Sequence, residues 1–147
     1  MVARMNIAEV APEGYRTVLG LERYTRTHVD PVLLELVKLR ASILNECSFC
    51  VDMHSRDALA AGESTARLFG VAAWHDAELF TTRERAALAL CDSVTRLGPD
   101  GVPDEVWDTA ADEFEPRELA DLLIATATIN LWNRLTVPTR TPPGTGT

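Results

Sequence analysis

Helix punctuation recurs along this chain with almost nothing competing against it, and that restricts the fold more than any other feature. Asp30-Pro31 is an N-cap followed by a proline at the first helical position, and it opens "PVLLELVKLRASIL". Thr81 and Glu84 have capping-box spacing at the head of "TTRERAALALCDSVTRLG", which closes at Gly98 before Pro99. Pro116 opens the apolar "PRELADLLIATATINLWNRL", predicted to end by Pro138. Pro12 starts a helix over residues 12–28, weakened by Gly14 and Gly20, and another begins close to Cys47 and stops at Gly62. Shorter helices are predicted over residues 64–70, before a loop holding Trp74 and Phe80, and in "VPDEVWDTAADEF". No run alternates β-branched and polar residues for the length of a strand. The expectation is one all-α domain over residues 1–137, a bundle of six to seven helices, with a flexible tail over residues 138–147 that has no means of burying itself.

At 147 residues the chain is long enough to bury a single core. Its net charge of −8 leaves no basic surface to neutralise phosphates, so nucleic acid and anionic membrane are not expected partners. Thirteen of the fourteen basic residues are Arg, Lys38 being the exception, and nothing functional is read into that. No apolar stretch has signal-peptide or membrane-spanning character, which points to a cytoplasmic protein. An odd number of cysteines, three, argues against a structural disulfide framework. The cysteines need another explanation.

Two of them fall in "ECSFCVDMHSRDALAAGES", residues 46–64. On a helix Cys47, Cys50 and His54 share one face, because their spacings are three and four. Three readings follow. The stripe, continued by Val51, Ala58 and Ala61, is simply core, as free Cys often is. Alternatively Cys47, Cys50 and His54 bind zinc with Glu35 or Asp52 as fourth ligand, although no second paired cluster exists and Cys91, His28 and His75 stand alone. The third reading is a redox dithiol: cysteines three apart are within disulfide reach, and a helix N-terminus favours the thiolate. A thiolate attacks a peroxide or disulfide and its neighbour resolves the product. His54, one turn after Cys50, is placed to move the proton, which makes Cys50 the better-activated thiol on spacing. Glu35 flanks the apolar face formed by Val32, Leu39 and Ile43, where a carboxylate needs a partner; the bland alternative is a rim carboxylate paired with Lys38.

Glu35, Cys47, Cys50 and His54 together resemble the redox signature of the AhpD-like alkylhydroperoxidases within the carboxymuconolactone decarboxylase superfamily. That signature is a Glu, a Cys twelve residues on, a second Cys after three and a His after four, and every interval is matched. "LVKLRASILNECSFCVDMHSRDALAAGES" looks like the family core, and "WHDAELFTTRERAALAL" and "INLWNRL" like its later segments, so the resemblance covers residues 5–137. Phe49 stands where the family sometimes has His. The resemblance implies an all-helical fold, a trimeric or hexameric homo-oligomer, and thiol-dependent reduction of small-molecule hydroperoxides without metal or cofactor. It implies that Cys50 attacks, Cys47 resolves, and Glu35 and His54 relay the proton, with electrons from a dithiol donor protein. A redox sensor or protein disulfide reductase using the same dithiol is the alternative. In the last helix Leu122, Leu123, Ile124, Ile129, Leu131 and Trp132 place apolar residues on more than one side; a domain of this size could wrap such a helix completely, and it is the resemblance that tips the balance towards subunits sharing it.

Overall fold

The structure is a computed structural model that describes residues 2–144. Among these residues the chain forms eight α-helices and no β-strand: α1 (Ile7–Val10), α2 (Pro12–His28), α3 (Pro31–Leu44), α4 (Ser48–Ala60), α5 (Thr65–Gly70), α6 (Thr82–Thr95), α7 (Asp104–Glu113) and α8 (Pro116–Thr139). A single 3₁₀ turn, Val71–Ala73, follows α5. The all-helical expectation holds. The four-residue α1 and the 3₁₀ turn carry too few residues to show a helical period in the sequence, so they went unpredicted.

Local chemistry accounts for most boundaries. Asp30 accepts from the backbone N–H of Leu33, and Thr81 and Glu84 complete both halves of their capping box. Helix α6 stops at Thr95 rather than at Gly98, because Arg96 leaves the helical region and its guanidinium reaches the carbonyl of Leu44. Helix α8 runs through Pro138 to Thr139 instead of ending at the proline. The proline removes one donor near the exposed end of the helix, and the chain leaves one turn later through Arg140 in the left-handed region (φ 56°). That turn directs Thr141 and Pro142 back towards the body, and Gly144 N–H donates to Asp52 (2.9 Å).

Helix α3 is the axis of the bundle. Every residue from Leu33 to Ser42 is buried, as the all-round apolar pattern of "LLELVKL" requires of a helix packed on several sides. Leu33, Val37 and Ala41 meet Leu90 and Cys91 of α6 and Leu122 and Ile129 of α8. On the opposite side Leu36 and Leu39 pack with Ala58, Leu68, Trp74, Phe80 and Leu88. Each buried Leu contributes on the order of 2 kcal/mol. The polar residues on this helix are all partnered: Arg40 forms a two-pronged pair with Asp92 (2.6 and 2.8 Å), and Trp74 donates to the same carboxylate (3.2 Å). On α8, Leu122 and Ile129 are buried within the chain, whereas Ile124 and Val137 remain exposed.

Candidate functional site

The turn between α3 and α4 sets the site. Helix α3 ends with the N–H of Glu46 bonded to the Ile43 carbonyl (3.1 Å) and the N–H of Cys47 bonded to the Ser42 carbonyl (2.9 Å), with Glu46 at φ 54°. This is a Schellman closure with a glutamate at the position glycine normally takes, at a cost of roughly 1–2 kcal/mol. Its final residue, Cys47, is also the N-cap of α4, so one tight turn ends one helix and starts the next. The Cys47 sulfur accepts from the Cys50 N–H (3.3 Å), the role a Ser or Asp oxygen fills at other caps.

Cys47 and Cys50 are both free thiols, 2% and 1% exposed. The Thr136 hydroxyl of α8 lies 3.0 Å from Cys47 Sγ and 3.4 Å from Cys50 Sγ. A hydrogen bond from Cys50 holds the Cys47 thiol down to about 6, against the opposing effect of burial and with help from Thr136. The same bond, together with burial, pushes Cys50 up. On these contacts the proton of the pair is held on Cys50 rather than on Cys47. Cys47 occupies the cap itself, where the N-terminal field of α4 and the Cys50 N–H act on its sulfur. Cys50 has the other advantage, because it lines a cavity of about 660 Å³ and Cys47 does not.

That cavity has an apolar wall of Leu19, Phe49, Met53, Trp132 and Leu135 and a polar end of Glu22, Arg26 and His54. Part of its rim comes from the N-terminal segment, where Arg4 N–H donates to the Thr139 carbonyl (2.8 Å) and ties residues 2–6 across the end of α8. His54 is buried and its Nδ1 meets Glu35 Oε2 at 2.9 Å. A carboxylate only accepts, so Nδ1 carries the proton. Nε2 has no partner among the described residues and is not sealed in, which opens it to the cavity. No hydrogen bond joins His54 to either sulfur among the described residues. Burial works against charge on Glu35, but the His54 hydrogen bond and the charges of His54, Lys38 and Arg26 bring its carboxyl below the ordinary range.

Sequence reasoning missed the second layer. Arg26 of α2 bridges Glu22 (2.9 Å), Glu35 (3.7 Å) and Asp57 (3.5 Å). Lys38, passed over as the lone lysine, is wholly buried and paired with Glu22, so it is not the rim partner considered for Glu35. Glu22 and Arg26 had the i,i+4 spacing of a helix ion pair, a signal too common to single them out. Glu35, His54 and Asp57 bring donor atoms within 4.8 Å of one another, a geometry that also suits a metal ion. The Arg26 guanidinium already supplies positive charge there, and neither sulfur belongs to the group. Asp52, the other candidate zinc ligand, pairs with Arg56 instead. His28 and His75 stack on Tyr24 and Trp74, away from the cavity.

The depressed Cys47 thiol makes a pH prediction. Its folded value of about 6 lies below the ordinary 9.0, so charge on it stabilises the fold above pH 9 and that contribution is lost as pH falls through about 6. The elevated Cys50 works oppositely above pH 9. The melting temperature of the reduced protein, measured relative to the disulfide form, should rise from pH 6 to 9 and fall beyond. A flat difference across that window would remove the Cys47 thiolate.

With the geometry in place, comparison with known proteins gives a consistent result. The profile of the carboxymuconolactone decarboxylase family matches residues 11–93. The uncharacterised YdfG of Bacillus subtilis is 33% identical over 138 residues, 93% of this chain and 94% of YdfG. The uncharacterised YnjA of Escherichia coli is 34% identical over 113 residues, 77% of this chain but 59% of YnjA. A crystal structure from Agrobacterium tumefaciens superposes with a TM-score of 0.95 at 34% identity, covering 99% of this chain and 100% of that one; it is of a protein of unknown function for which a role as the antioxidant defence protein AhpD has been suggested. By the family profile, by the near-full-length relative and by the fold, the chain belongs to the AhpD-like carboxymuconolactone decarboxylase family.

Proposed function

We propose that this chain is an oxidoreductase that reduces small-molecule hydroperoxides through a Cys47–Cys50 dithiol cycle. The observation that carries the reading is Cys50, one thiol of a paired set, at the wall of a 660 Å³ cavity that also receives His54. The suggestion made for the Agrobacterium tumefaciens relative points the same way.

The chemistry balances with the groups present. Cys50 gives its proton to the Cys47 thiolate or to His54 Nε2 and attacks the outer peroxide oxygen as a thiolate. The O–O bond breaks, Cys50 becomes a sulfenic acid, and the alkoxide takes a proton to leave as alcohol. Cys47, as thiolate, attacks the Cys50 sulfur; the S–S bond forms and hydroxide leaves, protonated to water. A dithiol donor protein then reduces the disulfide and is itself oxidised to a disulfide. Glu35 orients His54 and stabilises it while it holds a proton. Both sulfurs are no more than 2% exposed, so the oxidant and the donor's thiol alike have to reach the pair through the cavity that Cys50 lines. A homo-oligomer, trimer or hexamer, belongs to the same proposal, supported by Ile124 and Val137 left exposed on α8.

Steady-state reduction of cumene hydroperoxide and hydrogen peroxide with several dithiol donors tests it. Turnover with at least one donor is expected, and stoichiometric oxidation should leave one free thiol per chain. That thiol is Cys91, whose complete burial pushes it up to about 12. A disulfide that forms without turnover by any donor would make the pair a sensor.

A further inference from the structure

We propose that Thr136 is a catalytic residue of this site: its hydroxyl is the hydrogen-bond donor that follows the negative charge between Cys47 and Cys50 and withdraws when the disulfide forms. The proposal rests on the dithiol reading of the pair, not on which oxidant the pair meets.

The argument begins with a count of protons. A threonine hydroxyl has one to donate. Four acceptors surround Thr136 Oγ1: the Trp132 carbonyl at 2.9 Å, the Asn133 carbonyl at 3.4 Å, Cys47 Sγ at 3.0 Å and Cys50 Sγ at 3.4 Å. The two carbonyls belong to its own helix and are always present. The sulfurs compete for the proton only when charged, because a hydrogen bond to an ionised acceptor is about twice as strong as a neutral one. The state of the pair therefore chooses the bond.

The oxygen itself does not have to move. A β-branched side chain on a helix is confined to few rotamers, and the bond from Oγ1 to the i−4 carbonyl holds the one seen here. The backbone is fixed as well, since the Thr136 carbonyl accepts the Thr141 N–H (3.1 Å) in the turn that closes α8. Only the hydroxyl hydrogen swings, between a helix carbonyl and a sulfur. Oγ1 lies within reach of both sulfurs, so the charge passes from Cys47 to Cys50 without leaving the donor behind.

The bond exists in one redox state only. Reduced, the pair carries a thiolate that Thr136 stabilises. Oxidised, both sulfurs are neutral and weak acceptors, and the proton returns to Trp132. Thr136 thus lowers the thiol pKa and makes the disulfide easier to reduce, two effects with one cause. Thr136 acts in the lowering direction on both thiols. The other charged groups about the pair are His54 and Glu35 behind Cys50 and Glu22 and Arg26 at the cavity end, while Arg134 of α8 is turned to Asn130. All of them stay constant in a Thr136 series.

The test compares T136V, which has nearly the same shape without the hydroxyl, with T136S, which keeps it. Two quantities are read on the full chain: thiolate absorbance against pH, and the position of the dithiol–disulfide equilibrium against glutathione. In T136V the apparent thiol pKa should rise by about one to two units, and the disulfide should become roughly ten- to a hundredfold harder to reduce at pH 9, above the apparent pKa values of both parent and variant. T136S should stay near the parent on both. An unchanged pKa in T136V, or a T136S shift as large as that of T136V, overturns the proposal, the latter because it would make the role one of packing. If T136V does not fold, T136A leaves only a small gap at the cavity wall and gives the same readings. Neither measurement uses a peroxide, so loss of the peroxidase reading and loss of the Thr136 reading are separate results.

Discussion

In the proposed cycle serine in place of Cys50 should end hydroperoxide turnover, by more than about 10³-fold, while serine in place of Cys47 should leave one oxidation per chain that stalls at Cys50. The asymmetry comes from access. Cys50 lines the cavity and Cys47 stands behind it at the N-cap of α4, so a peroxide that enters meets Cys50. Acidity points the other way, since Cys47 is the depressed thiol and its bond with Cys50 pushes Cys50 up. The two facts fit one cycle. In the proposed cycle the pair would hold a single negative charge on Cys47, and shift of the Cys50 proton onto Cys47 or His54 would expose the nucleophile at the cavity wall. Removing Cys47 removes both the charge that suppresses Cys50 ionisation and one acceptor of its proton, so the first oxidation in Cys47→Ser should still occur, with His54 as the remaining acceptor. Mass spectrometry of each variant after one equivalent of peroxide locates the added oxygen. Oxygen on Cys47 in Cys50→Ser, with Cys50 untouched in Cys47→Ser, would reverse the roles and show that cavity access does not decide them.

The parts of this arrangement that could be read from the sequence are those in which cause and effect lie within one or two turns of chain. Asp30 caps α3 through the N–H of Leu33, and Glu84 closes on Thr81, because those partners are three residues apart. Glu35, Cys47, Cys50 and His54 were legible as a set for a different reason: they are reactive residue types at matched intervals. Their contacts were legible only in part. Glu35 does bond His54, yet the acidity of the pair depends on Cys47 being the cap rather than part of the first turn, a difference of one residue that helical periodicity does not resolve. The rest is tertiary. Thr136 reaches Cys47 across 89 positions, and Lys38 turns to Glu22 on a neighbouring helix. Nothing in the local sequence around either residue distinguishes it from an ordinary Thr or Lys. Pro138 misled because its rule is written for helix interiors, and one lost donor in the last turn at the surface costs little.

Loss of the His54–Glu35 pair should cost about 10²–10⁴-fold in the first oxidation, the usual scale of general acid–base help. Among the described residues the His54 side chain is held by one hydrogen bond, Nδ1 to Glu35 at 2.9 Å, and that bond leaves Nε2 as the nitrogen open to the cavity. Glu35→Gln keeps the shape but exchanges the carboxylate for an amide that can donate to Nδ1 as well as accept from it. The imidazole is then free to present the wrong tautomer at Nε2, and it loses the charge that stabilises it when protonated. His54→Ala removes the group altogether. Both variants should lower the rate, and Glu35→Gln should also change the pH profile, because the carboxylate is what keeps a proton on Nδ1. Arg26 provides the control for electrostatics at a distance. It contacts Glu35 only at 3.7 Å and is shared with Glu22 and Asp57, so Arg26→Gln should have a smaller effect than either. Stopped-flow oxidation of the reduced protein across pH 5–9 separates these cases. Equal rates for the parent, His54→Ala and Glu35→Gln would mean that the Cys47–Cys50 pair manages its own proton, with Cys47 as the only base it needs.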